Sequence, residues 1–83
     1  MNYGAVVDLG NLFGDFKNTS AAIEQFEKAI QLRPEHYLAY YNLGMVYLEG
    51  QQRTKAIDFL SKAYKLRPEV SIEKELKRAH LLK

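Results

Sequence analysis

An 83-residue chain with a formal charge of +2 has the length of one small domain. It contains no cysteine, which excludes disulfides, a thiolate zinc cluster and a cysteine nucleophile. Acidic and basic residues are interspersed apart from a basic bias near the C-terminus, which argues against nucleic acid, and no apolar run approaches the length of a bilayer span.

The opening MNYGAVVDLG has no basic start and carries Asp8 early, so it does not read as a secretory signal, and a cytoplasmic location is expected. Val6, Leu9, Phe13 and Phe16 then recur at spacings of three and four, which predicts a helix over about 3–15. Asn18, Thr19 and Ser20 offer helix-starting side chains. A second stripe through Ala22, Ile23, Phe26, Ala29, Ile30 and Leu32 predicts a helix over 19–32, stopped by Pro34. Tyr40, Leu43 and Tyr47 give a third helix over 37–50, and Gly50-Gln51-Gln52 reads as a turn. Ala56, Ile57, Leu60, Ala63 and Tyr64 give a fourth over 53–66, ended by Pro68. A fifth helix over 71–82 is apolar on one side only, through Ile72, Leu76, Ala79 and Leu81 or Leu82, as a terminal cap should be.

The helix pairs repeat. A shift of 34 places Leu9-Gly10 on Leu43-Gly44, Phe13 on Tyr47, Ala22-Ile23 on Ala56-Ile57 and Leu32-Arg33-Pro34-Glu35 on Leu66-Arg67-Pro68-Glu69. About a third of the aligned positions are identical without a gap, far above chance. One residue in this pattern is locally unfavourable. Gly44 stands inside YYNLGMVYLEG, where a glycine costs a helix about 1 kcal/mol relative to alanine.

The pattern resembles the tetratricopeptide repeat, a helix–turn–helix unit of 34 residues. The first-helix signature is carried by Tyr40, Leu43-Gly44 and Tyr47 in unit 2 and by Val6, Leu9-Gly10 and Phe13 in unit 1. The second-helix signature is carried by Ala22, Phe26, Ala29 and Pro34, and by Ala56, Leu60, Ala63 and Pro68. The resemblance implies an all-α fold over residues 1–83, a right-handed superhelix of helix pairs with repeat 1 at 3–36, repeat 2 at 37–70 and a capping helix at 71–82. It also implies that Gly10, Gly44 and the four alanines allow close helix approach. The family often has glycine at the turn between its helices, where this chain has Lys17 and Gln51, so these two turns are expected to deviate slightly.

No catalytic constellation is present. His36 and His80 have no partner at ligand spacing, and neither a phosphate loop nor a nucleophile elbow occurs, so the expectation is a protein that is not an enzyme and needs no cofactor or metal. In the resembled family, partners are met by the inner face of the first helices. The matching positions are Gly4, Val7, Asp8, Asn11, Gly14 and Asp15 in unit 1 and Leu38, Tyr41, Asn42, Met45, Leu48 and Glu49 in unit 2. Of these, Val7, Asn11, Leu38, Tyr41, Asn42, Met45, Leu48 and Glu49 are the expected partner-binding residues. Leu38, Tyr41, Met45 and Leu48 form an apolar stripe separate from the Tyr40–Leu43–Tyr47 stripe. Such a stripe packs on the chain's own helices, such as the cap, or receives a partner helix.

The first expectation is therefore a protein–protein interaction module holding a peptide or helix of a protein partner, with Asn11 and Asn42 bonding its backbone. The second is a homo-oligomeric scaffold whose apolar groove is filled by another copy. Two repeats are few for a stable solenoid, and the uncovered side of the first helix is expected to leave Leu12, Val6 and Tyr3 partly exposed. One subclass of the family clamps a C-terminal carboxylate with a lysine, two asparagines and basic residues of a third repeat. Asn11 and Asn42 match the asparagines, but Val7 stands at the lysine position and a third repeat is missing from this sequence, so a carboxylate clamp is not expected.

Overall fold

Helix starts and stops follow from local chemistry. The structure, a computed structural model, describes residues 2–83, and all its regular elements are helices: α1 (Tyr3–Asp15), α2 (Thr19–Leu32), α3 (Tyr37–Glu49), α4 (Arg53–Leu66) and α5 (Val70–His80). Asn2 caps α1 by accepting the Ala5 N–H, Asn18 caps α2 by accepting the Ala21 N–H, and His36 Nδ1 accepts the Leu38 N–H at the start of α3. Pro34 and Pro68 stand just beyond α2 and α4, where the chain can no longer continue the helix. Two helix limits differ from expectation. α3 ends at Glu49 with Gly50 as its C-cap, and α5 runs from Val70 to His80 rather than from 71 to 82.

The turns inside each pair close without deviation. Lys17 and Gln51 take left-handed backbone at φ 60° and 59°. In the first turn the Lys17 N–H donates to Gly14 O and the Asn18 N–H to Phe13 O; in the second, Gln51 donates to Leu48 O and Gln52 to Tyr47 O. Both turns are therefore Schellman motifs that satisfy the last carbonyls of α1 and α3. The expected deviation does not occur, because two hydrogen bonds per turn offset the steric penalty of a side chain at positive φ.

α1 pairs with α2 and α3 with α4; α2 joins the pairs by packing on α3, and α5 covers α4 and part of α3. The pairs close on small residues. Ala22, Ala29, Ala56 and Ala63 are fully buried. A Cβ on Gly10 would stand 2.6 Å from the Phe26 ring, and one on Gly44 would stand 2.7 Å from Leu60 Cγ and 3.1 Å from Leu60 N. Each glycine thus lets the second helix of its own pair approach closely, and the propensity loss at Gly44 is offset by that contact.

The two units are not buried alike. Leu43 is fully buried while its counterpart Leu9 is 39% exposed, because α2 covers the outer side of α3 and no described element covers that side of α1. Leu12 is half exposed, as expected, whereas Val6 is buried rather than partly exposed, since it faces α2 and the core. Phe16 does not belong to the α1 stripe: it is the C-cap residue and is 76% exposed. Leu32, at the end of α2, is also largely exposed. Gln25, at the position of Phe59 in unit 2, is buried with its Oε1 unpartnered.

Candidate functional site

The inner faces of α1 and α3 meet at an open depression of about 160 Å³. Asn11, Gly14 and Asp15 line it from α1, and Asn42, Met45, Val46 and Glu49 from α3, with Gly10 and Phe26 at its base. The spacing is that of one helix face: Gly14 and Asp15 stand three and four residues after Asn11 on α1, and Met45 and Glu49 three and seven residues after Asn42 on α3. Gly14 meets nothing within 4 Å of where its Cβ would be, so the α1 wall is low and the depression opens outward. Asn11, Asp15 and Glu49 are exposed, and Asn42 and Met45 are half-buried. The site therefore offers two amides, two carboxylates and one flexible thioether. Amides both donate to and accept from a peptide backbone, carboxylates accept from basic or hydroxyl side chains, and a methionine adapts to irregular apolar shapes.

The expected binding residues divide into two sets. Asn11, Asn42, Met45 and Glu49 converge on the depression. Val7 and Leu48 do not. They are 2% and 4% exposed and belong to the core that also takes in Leu43, Tyr47 and Ala79, so they are corrected from partner contacts to core residues. Val7 is buried where α1 packs on α2 and α3, and Leu48 is buried because the apolar stripe of α3 is used within the chain: cap residues Leu76, Ala79 and Leu82 join the same cluster. Leu38 and Tyr41 are half-buried against that cluster, and Tyr41 also packs on the group formed by Tyr40, Ala63 and Ile72. Burial raises the Tyr41 phenol above its ordinary value, with the Glu75 carboxylate adding to the shift and Arg78 opposing it. Glu75 is itself paired with Arg78 at 2.6 Å. Tyr41 is accordingly an anchor for the cap, and Tyr41→Ala disturbs packing rather than a groove surface alone.

A contact that periodicity did not reveal ties the two units together. The Ala39 N–H donates to Tyr3 Oη at 2.9 Å, and that hydroxyl also lies 3.2 Å from His36 Nδ1. Because His36 Nδ1 already accepts the Leu38 N–H, the Tyr3 hydroxyl is the donor to it. Burial raises the Tyr3 phenol, partly countered by the Ala39 N–H. The bond fixes the N-terminus of α1 against that of α3. Tyr40 similarly donates to Pro34 O at 2.8 Å and holds the connector. These are bonds between residues that the sequence separates by a connector or a whole unit, so only the repeat register could have hinted at them.

Among the described residues no group of acidic or histidine side chains could hold a metal ion, and no helix is long and apolar enough to cross a membrane. No curated protein gives a match to the chain. A family model described as the tetratricopeptide repeat matches residues 7–71, which spans both helix pairs and the first residues of α5. With the five-helix architecture, the paired glycines and the two proline stops in register, the chain belongs to the tetratricopeptide repeat family, whose members generally mediate protein–protein interactions.

Proposed function

We propose that the depression between α1 and α3 binds a short segment of a protein partner, and that Asn11, Asn42, Met45 and Glu49 carry the contact. The observation that supports this most is the convergence of four expected binding residues, from two helices in different units, on one open concavity. A groove with amides on both walls bonds the backbone of an extended segment whatever its side chains, which gives affinity without sequence demand. Asp15 and Glu49 at one end add a preference for a lysine or arginine there, and Met45 favours an apolar residue beside it. With Val7 and Leu48 buried, the groove is more polar than the sequence suggests, and this favours a mixed basic and apolar peptide over an amphipathic helix or a second copy.

The test is selection of binders from a displayed random-peptide library, followed by calorimetry on the best binder. Asn42→Ala and Glu49→Gln should each weaken binding about tenfold, the loss of roughly one hydrogen bond to a partly desolvated or charged group. Selected peptides should carry a basic residue. Affinities unchanged by both substitutions would contradict this assignment.

A further inference from the structure

Gly14 is a glycine that the fold itself does not require. It lies in the last turn of α1, its φ is not positive, and nothing stands within 4 Å of where its Cβ would be. Gly10 and Gly44, by contrast, are needed for close packing on Phe26 and Leu60. The turn that follows does not call for a glycine either. The counterpart of Gly14 one repeat on is Leu48, whose carbonyl accepts the Gln51 N–H at 3.0 Å, as Gly14 O accepts the Lys17 N–H at 2.9 Å, in the same Schellman turn. A glycine at this position weakens α1 relative to alanine, with no compensating contact inside the chain.

What differs between the two positions is the space over them. α3 lies against α5 as α1 lies against α3. Between α3 and α5 the Leu48 side chain is buried in the cluster that takes in the cap residues Ala79 and Leu82. Between α1 and α3 the same repeat position is bare. A second concavity, of about 340 Å³, opens there; it reaches the buried Ala22 and the half-buried Val46 and is edged by the exposed Lys17 and Thr19. It shares Gly14, Val46 and Glu49 with the depression described above, so the two run together past Gly14.

We propose that Gly14 is the specificity-determining residue of the peptide site. The space over it receives a large apolar side chain of the partner segment, of leucine or phenylalanine size, which does between α1 and α3 what Leu48 does between α3 and α5. The base fits that chemistry, since Ala22 and Val46 present only hydrocarbon there. Asp15 and Glu49 form no ion pair among the described residues, so both carboxylates are available beside it to a basic residue of the same segment. The partner is thus a segment with a bulky apolar residue and a basic residue close together. This inference rests on the peptide-binding reading of the depression.

The test uses the library-selected peptide with the variants Gly14→Ala and Gly14→Leu. Because nothing meets a Cβ there, both should keep the wild-type helical circular dichroism. Gly14→Ala should raise the thermal midpoint by about 2–6 °C. Gly14→Leu places the chain's own side chain in the space and should weaken the peptide about tenfold or more. Replacing the peptide's large apolar residue by alanine should cost about tenfold against the wild type and nothing further against Gly14→Leu, so the two losses should not add. Wild-type affinity in the Gly14→Leu chain, with binding still weakened by Asn42→Ala, would overturn the role of Gly14 and leave the peptide site standing. Additive losses, or a Gly14→Ala chain less stable than the wild type, would overturn that role equally. A library that yields no binder, or affinity unchanged by Asn42→Ala, Glu49→Gln and Gly14→Leu alike, would overturn the peptide site and the role of Gly14 together.

Discussion

Gly44 and Gly10 are the residues at which local and tertiary preferences conflict most directly. A methyl group at Gly44 meets Leu60 at both a side-chain branch point and a backbone nitrogen, and neither can yield without moving α4. Gly44→Ala should therefore destabilise by about 1–3 kcal/mol, despite the gain in helix propensity, because overpacking outweighs it. Gly10→Ala meets only the Phe26 ring, but that ring is buried, so the sign should be the same. Thermal unfolding followed by circular dichroism reads both. The opposite holds at the turns. Lys17 and Gln51 sit at positive φ with no need of their side chains there, so Lys17→Gly and Gln51→Gly should each stabilise by about 1 kcal/mol, measured by chemical denaturation. The glycine conflict could be read in the sequence, since a repeated Leu-Gly at a shift of 34 calls for a packing reason. The turn geometry could not, because lysine and glutamine give no sign that hydrogen bonding will hold them in a left-handed conformation.

At the scale of helices, equivalence in sequence is not equivalence in burial. Leu9 and Leu43 occupy the same repeat position, yet one is 39% exposed and the other has no exposure. Leu43→Ala should cost about 2–5 kcal/mol, as buried large-to-small changes do. Leu9→Ala, at the same repeat position, should lose only about 1 kcal/mol, in proportion to the smaller area it buries. Periodicity places both leucines on the inward side of a helix but does not say which neighbour covers it. The cap shows the same limit. Its one-sided apolar pattern is legible, but its consumption of the α3 stripe, which buries Leu48, is not; nor is the packing of α1 on α2 and α3 that buries Val7. Ending the chain at Arg67 should expose Tyr40, Tyr41 and the Ala63 face and produce aggregation, seen by light scattering. A truncated chain that stays soluble and equally stable would contradict the role given to α5.

For the molecule as a whole, the two helix pairs and the cap make one packed series with an inner depression between α1 and α3. The architecture was almost wholly legible, because 34-residue self-similarity fixes helix number, order and pairing together. Of the candidate site, the polar lining was legible and the apolar part was not. Asn11, Asn42, Met45 and Glu49 are too polar or too flexible to be claimed by the core, and the structure leaves them at the concavity. The apolar candidates were ambiguous from the start, since the same side chains serve a core or a partner equally well. The central claim is that binding occurs at this concavity. Amide chemical-shift mapping of the labelled chain, titrated with a library-selected peptide, tests it most directly. The account predicts shifts concentrated at Asn11, Asp15, Asn42, Met45 and Glu49, and their loss in an Asn11→Ala/Asn42→Ala chain of unchanged helicity. Shifts concentrated instead on Leu9, Leu12 and Phe16, or on the outer side of α5, would contradict it.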